Sequence, residues 1–323
     1  MEIKLQPQEN LSGDSNYAQG FGRVTTPAKS FDPANQHQEA CTFFRANGFV
    51  VLSQCLDTAE LSHLNNFYHR TQAATPEVWG LGAKRKPHHR NQGLIYSQPL
   101  LDHPELDRYT QPPRSYPIVC DLLGGTDRVR FAEFNLRETP KNSGIGAMNF
   151  HHDAVTQDRL IREPYFPIDW LCAIHYLSNV GPTTPSFCVV PRSQRYETLK
   201  AAFDGLQDDY REVPIYGQAG TCVLYDTALY HTRLDGDGKQ GRRTWHQYYA
   251  RGGWLKSSLP TTDKYMRAPS PVLTDWNLFP ERLALHPDPA MRLFFSHWNT
   301  AQGEWVASGF DAGVRKSMPR GEQ

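Results

Sequence analysis

Four residues in the middle of the chain have types and spacing that could do chemistry together. Phe150-His151-His152-Asp153 contains a His-x-Asp pattern, His231 follows about 80 residues on, and Arg242 lies eleven positions beyond His231. Two imidazoles and one carboxylate can hold one face of a metal ion and leave the opposite face open, the ligand set that suits non-haem Fe(II). In a strand, or the turn leaving it, residues i and i+2 point the same way. His151 and Asp153 can therefore share an ion while His152 points elsewhere. Adjacent residues cannot complete a facial set, so the third ligand must come from another strand. His231, just past the apolar run Thr221–Tyr225, can supply it.

Arg242 opens a strand-like run, Arg242-Arg243-Thr244-Trp245-His246-Gln247-Tyr248-Tyr249. Alternation places Arg242 and Thr244 on one face. A planar guanidinium beside a hydroxyl suits a carboxylate, since arginine can donate two parallel hydrogen bonds. The distal carboxylate of 2-oxoglutarate needs such an anchor when its keto-acid end chelates iron. Arg243 competes for the role, and the facing of the strand decides between them.

Lys+Arg and Asp+Glu both total 34, a formal charge of zero, which argues against nucleic acid or an anionic membrane as the main partner. A small anionic ligand needs only one or two arginines. The six cysteines include no Cys-x-x-Cys pair and read as small buried residues in a reducing compartment. The first twenty residues lack the apolar stretch of a secretory signal. No run approaches the ~18 apolar residues of a membrane span, and the last three residues are not the Ser-Lys-Leu peroxisomal address. The expectation is a cytoplasmic protein acting on a small-molecule substrate, with its oligomeric state open.

The elements that must position these residues are partly legible. Residues 1–30 form a polar N-terminal segment without periodicity. A single domain is expected over 31–323: helices in 31–127, a β core at about 128–252, and an aromatic-rich C-terminal segment, 253–323, packed on that core. A helix fits Pro33–Asn47 with Gly48 as its stop, followed by a strand at Phe49–Leu52. Asp57 and Glu60 make a capping-box start for the next helix. Short strands are predicted at Val129–Arg137, Trp170–Leu177, Phe187–Val190, Thr221–Tyr225 and Thr244–Ala250. The C-terminal segment reads as helical around Ala290–Trp298. The fold class is mainly β with flanking helices, and a double-stranded β-helix, the jelly roll of the cupin type, fits the strand count.

Other residues keep two readings. Glu133, Asn135 and Arg137 alternate with Ala132, Phe134 and Leu136, as a polar cavity face or the wet side of an edge strand. On the metal reading, Asn135 and Arg137 become substrate or supporting residues. His152 is either a contact to cosubstrate or substrate, or a surface histidine. His175 and His246 fit core positions. The basic run Lys84–Arg90 reads as a solvated loop or, less simply, a gate for an anionic substrate. Asp235-Gly236-Asp237-Gly238 lacks the distal glutamate of a calcium loop and reads as the turn between His231 and Arg242.

With these residues in place, the chain resembles the phytanoyl-CoA dioxygenase family of Fe(II)/2-oxoglutarate oxygenases over about residues 39–250. GFVVLSQCLDTAEL (48–61) is similar to the family's opening strand and capped helix, and FHHD (150–153) stands where the family has aromatic-His-x-Asp. FCVVPRSQR (187–195) resembles its Val-Val-Pro-Gly-Ser-His stretch, and AGTCVLYDTALYH (219–231) its strand and distal histidine. Arg242 matches its 2-oxoglutarate arginine. The resemblance implies a double-stranded β-helix, iron bound by His151, Asp153 and His231, and oxidative decarboxylation of 2-oxoglutarate with O2 as cosubstrate.

The chain also departs from the family's pattern. Arg192 replaces a glycine, Gln194 a histidine, and Thr232-Arg233 the Gly-Ser after the distal histidine, which removes a small hydroxyl. Ile174 stands near a position often aromatic. Ile174 and Arg233 thus join the substrate or supporting candidates, and the family's substrate does not carry over. Asp153 is retained, which disfavours halogenation. The expected activity is hydroxylation of a C–H bond in a small molecule with release of succinate and CO2. Desaturation, cyclisation or epimerisation with the same cofactors is the alternative, and a non-catalytic cupin-like binding protein is the third reading.

Overall fold

The structure, a computed structural model, describes residues 22–81, 93–153, 170–251, 265–267, 278–295, 297–299 and 304–306. Strand β1 (Ser30–Phe31) leads into helix α1 (His37–Asn47), strand β2 (Phe49–Leu52) and helix α2 (Thr58–Ala74). Helix α1 begins four residues later than the pattern suggested. Asp32 takes the intervening residues into a turn, its side chain accepting from the Ala34 and Asn35 nitrogens, and such local bonds compete with a helix. Gly48 ends α1 in a left-handed conformation, φ 81°, as its position promised. Both bonds of the Asp57/Glu60 capping box are present.

The chain continues through β3 (Leu94–Tyr96), α3 (Tyr116–Leu123), β4 (Val129–Thr139), β5 (Trp170–Tyr176) and β6 (Ser186–Val189). Then come α4 (Leu199–Leu206), β7 (Val213–Ile215), β8 (Cys222–Asp226), β9 (His231–Leu234) and β10 (Arg242–Arg251). One sheet has seven strands in the order β1-β2-β8-β5-β10-β4-β3, and a second has three, β7-β6-β9. The chain passes from one sheet to the other at each of the links β5–β6, β7–β8, β8–β9 and β9–β10, the wrapping of a jelly roll. The architecture is the mainly β one with flanking helices that the strand spacing implied.

The chain divides into two compact units. The first takes Met1–Tyr96, Arg137–Phe166 and Ile174–Trp245. In it, the Tyr176 hydroxyl donates to the Ile215 carbonyl (2.9 Å), and the Phe187 and Tyr225 rings meet at 4.8 Å, so strands of both sheets share one interior. Helix α2 is held to the other side of the larger sheet, where the Tyr68 hydroxyl donates to the Thr244 carbonyl at 2.7 Å. His175 is fully buried and stacked on Trp245, with ring centroids 4.0 Å apart.

The second unit takes Ser97–Leu136, Pro167–Ala173 and His246–Gln323. There β11 (Tyr265–Arg267) pairs with β12 (Leu278–Pro280), followed by α5 (Glu281–Ala284) and α6 (Pro289–Phe294). Phe131 is ringed by Phe279, Phe294 and Phe295 at 5.0–6.1 Å. Arg282 forks onto Asp107 and the Leu100 carbonyl. The helix expected over Ala290–Trp298 stops at Phe294 because Phe295 turns inward to this aromatic cluster. Trp298 instead pairs with Trp305 between β13 (His297–Asn299) and β14 (Glu304–Val306). His246 is buried, as a core histidine should be.

All six cysteines are buried and none is in a disulfide. Residues 235–238 form the turn into β10, with Asp237 N–H donating to Thr183 O and Asn142 N–H to Gly238 O. Among the described residues no helix is long and apolar enough to cross a membrane. Residues 1–21 and the basic run Lys84–Arg90 lie outside the described residues.

Candidate metal centre

The segment 148–153 runs antiparallel beside β9. His151 and His231 exchange backbone bonds, N–H to O at 2.9 and 2.8 Å, which makes them a directly opposed pair. Their side chains consequently project from the same face, with ring centroids 4.5 Å apart. Asp153, two residues on, is fixed by its N–H to the Thr227 carbonyl (2.9 Å). Its Oδ1 sits 3.4 Å from His231 Nε2 and 3.9 Å from His151 Nε2. The three ligand atoms lie within 4.8 Å of one another. His152 points elsewhere and lays its ring against Tyr230.

Both imidazoles are held in the orientation a metal needs. His151 Nδ1 lies 2.9 Å from the Asn149 carbonyl and His231 Nδ1 lies 2.8 Å from the Leu229 carbonyl. A carbonyl accepts only, so Nδ1 carries the proton and the Nε2 lone pairs converge. Burial, and then repulsion from His231, hold His151 down to about 4, although 38% of its side chain is open to solvent, which moderates the effect. Burial of Asp153 opposes its ionisation. His231 above all, with His151 and the Tyr225 hydroxyl, outweighs that and keeps the carboxyl well below the usual range. Near neutral pH this gives a neutral His151 imidazole beside a carboxylate.

Tyr225 is the residue the sequence did not announce. Its hydroxyl donates to Asp153 Oδ2 at 2.7 Å, leaving Oδ1 for the imidazole side, and its ring packs 4.8 Å from that of His231. In VLYD it reads as one more apolar strand residue.

The facing of β10 separates the two arginines. Arg243 turns outward to α2, with Nε 3.1 Å from Glu138 Oε2, Nη1 3.2 Å from Asn65 Oδ1, and its guanidinium over the Tyr68 ring. Arg242 and Thr244 take the opposite face and are 7% and 1% exposed. Arg242 Nε and Nη1 are buried with no hydrogen-bond partner, and burial lowers this arginine's pKa. A buried guanidinium with open donors calls for an anion. The donor set and this orphaned cation fit Fe(II) and a dicarboxylate cosubstrate.

The profile of the phytanoyl-CoA dioxygenase family matches residues 44–244. The chain belongs to this family. It is accordingly an Fe(II)- and 2-oxoglutarate-dependent enzyme, with O2 as cosubstrate. No curated protein matches the chain significantly in sequence. Among solved structures it is similar to the epimerase SnoN in complex with Fe3+, α-ketoglutarate and nogalamycin RO. That likeness has a TM-score of 0.56 and 18% identity, over 76% of this chain and 98% of that one. It is also similar to the carbocyclase SnoK of nogalamycin biosynthesis (TM-score 0.52, 18% identity, 69% and 87% covered). HygX from Streptomyces hygroscopicus, with nickel and 2-oxoglutarate bound, gives a TM-score of 0.52 and 17% identity, over 68% and 89%. At these identities the likeness shows the fold.

Against the phytanoyl-CoA dioxygenase pattern, the departures have distinct structural outcomes. Arg192, in place of glycine, adopts the left-handed conformation (φ 67°) and reaches Asp209 at 3.0 Å. Ile174 is buried on β5, two residues from Tyr176 and on the same face. Thr232 turns to the Met148 carbonyl. Arg233, two residues after His231 on β9, is 6% exposed and donates from Nη2 to the Gly146 carbonyl at 2.7 Å. Burial, then repulsion from Arg242, hold Arg233 down to about 10. Arg137 is felt electrostatically by His151, Arg233 and Arg242. Asn135 is fully buried and donates to Glu133 Oε1, and β4 lies between β10 and β3, which removes the wet-edge reading of that face.

Proposed function

We propose that this oxygenase hydroxylates a C–H bond of a small-molecule substrate, with iron held by His151, Asp153 and His231 and 2-oxoglutarate anchored by Arg242 with Thr244. The observation that carries the reading is the convergence of His151 Nε2, His231 Nε2 and Asp153 Oδ1 in a chain whose buried Arg242 keeps donors open. When bound, iron and 2-oxoglutarate supply the oxidation, with O2 consumed and succinate and CO2 released.

The chain's own residues do the positioning. The carbonyls of Asn149 and Leu229 fix the two imidazole tautomers, and the Tyr225 hydroxyl orients Asp153. Arg242 would receive the distal carboxylate in a site too buried for water to compete. Arg137, electrostatically coupled to His151, is the candidate to meet a polar or anionic group of the substrate. Asn135, Ile174 and His152 are the remaining substrate candidates.

The epimerase and carbocyclase among the structural neighbours support a second reading, with the same cofactors and a different oxidative outcome. Product mass separates the readings: one oxygen gained for hydroxylation, two hydrogens lost for desaturation or cyclisation, no change for epimerisation. The reading is tested anaerobically. Pure protein with Fe(II) and 2-oxoglutarate should develop a visible charge-transfer band, and Asp153→Ala should abolish both the band and succinate formation. An active Asp153→Ala variant would refute the ligand assignment.

A further inference from the structure

We propose that Tyr176 sets the length of the dicarboxylate the site accepts, admitting the five carbons of 2-oxoglutarate and rejecting an acid one methylene longer. The inference rests on the reading of Arg242 as the cosubstrate's anchor and adds a residue that gauges what reaches it.

Register places Tyr176 beside that anchor. Strands β5 and β10 are neighbours in the larger sheet. The Leu177 N–H donates to the Arg243 carbonyl at 2.9 Å and His175 stacks on Trp245, so the two strands run antiparallel with Tyr176 opposite Thr244. Alternation then puts Tyr176, Thr244 and Arg242 on one face, with Arg242 diagonal to the tyrosine. After burial, Tyr176 is the largest influence on the charge of Arg242, and Arg242 is the largest charged influence on the phenol.

The hydroxyl fixes the depth of the ring. It donates to the Ile215 carbonyl of β7, 2.9 Å away in the other sheet, so the ring crosses the interior between the sheets. Ile215 pairs with Phe187, and Phe187 with Arg233, in one row across β7, β6 and β9. His231 lies one side-chain step back, in the row of Val189, ~7 Å along the strand. The phenol oxygen therefore sits on the turn side of His231, the side on which Arg242 opens β10. A five-carbon diacid held at the level of His231 by its keto-acid end reaches that depth with its distal carboxylate.

The ring has little freedom to yield. Tyr176 and Ile215 are fully buried, and the hydroxyl ties one sheet to the other. Its hydrogen is committed to the Ile215 carbonyl, so it offers a carboxylate no donor and acts on it by shape alone. A close-packed interior resists even one added methylene. A six-carbon diacid must bow or displace the ring, whereas a leucine at 176 ends short of Ile215 and leaves room.

The test is calorimetric titration of Mn(II)-loaded protein, without organic substrate and without turnover, with 2-oxoglutarate and 2-oxoadipate as probes. The native protein is expected to bind 2-oxoglutarate at least about tenfold more tightly. Tyr176→Leu should bring the two affinities to within roughly threefold, chiefly by tightening 2-oxoadipate. Tyr176→Met, unbranched and adaptable, should do the same and covers the case in which the leucine variant does not fold. Tyr176→Phe keeps the ring and loses the tie to Ile215, and its preference should fall between native and leucine. A preference unchanged in both Tyr176→Leu and Tyr176→Met, with both probes weakened in Arg242→Met, would overturn the gauge and leave the anchor standing. So would a native protein that binds the two acids equally. Unchanged binding of both probes in Arg242→Met would sink the anchor reading itself.

Discussion

Tyr225 gives its hydroxyl hydrogen to one oxygen of Asp153 and so leaves the other to face the two Nε2 atoms. Without that bond the carboxylate can rotate, and its ionised form loses one of the groups that stabilise it. Tyr225→Phe is therefore expected to weaken Mn(II) or Fe(II) binding roughly tenfold, the usual effect of removing a group that orients a ligand. Competition with a chelator would measure it, and unchanged affinity would remove Tyr225 from the site. The clustering of the proposed ligands His151, Asp153 and His231 was legible because i, i+2 parity chose His151 over His152 and a predicted strand delivered His231. Tyr225 was not legible, because its partner is 72 residues away in sequence and no local spacing marks the contact.

At the scale of elements, the loop after β6 is held by a residue in an unfavourable conformation. Arg192 sits at φ 67°, where a Cβ costs about 1–2 kcal/mol, and its ion pair with exposed Asp209 returns only a few tenths to 1 kcal/mol. Glycine relieves the steric term but loses more freedom on folding, so Arg192→Gly should lie within about 0.5 kcal/mol of native. Arg192→Val should be less stable by about 2 kcal/mol, since branching at Cβ worsens the clash. Urea unfolding midpoints would check the order, and a valine variant as stable as the glycine one would contradict it. The facing of β10 shows where pattern reading ends. Alternation said that Arg242 and Arg243 point opposite ways, but only α2, with Asn65 and Tyr68, shows which face is occupied. Helix α3 fell within the expected helical region 31–127 without being placed, and α4 was missed, because each is eight residues long, too short to establish a period.

At the scale of the whole molecule, folding buries His175 against Trp245 and holds its pKa down to about 3 through burial. Below pH ~6.5 the unfolded chain binds a proton at this residue that the folded chain refuses. Its contribution to stability is thus complete above pH 6.5. It falls by about 1.4 kcal/mol per pH unit on acidification and is exhausted near pH 3, a total of roughly 5 kcal/mol. His175→Phe keeps the stacked ring and removes the titration. Its unfolding free energy should lose less than that of the native chain between pH 6.5 and 4, by about one proton's slope. Parallel pH profiles for the two would refute the prediction. The jelly-roll wrapping was legible from the number and spacing of strands. The grouping of the C-terminal aromatics around Phe131 was not, because composition announces that aromatics will be buried without naming the surface that buries them.

The reciprocal backbone bonds between His151 and His231 join two points about 80 residues apart in the chain. An ion bound by both side chains would therefore be a cross-link as well as a reagent, closing a long loop in the manner of a disulfide. In the chain-entropy view, a closure of that length restricts the unfolded chain by an amount on the order of 4 kcal/mol. Stripping the metal would then release a covalent-like tie between the two halves of the barrel's chain path, and the apoprotein would unfold more readily even where its active-site side chains stay in register.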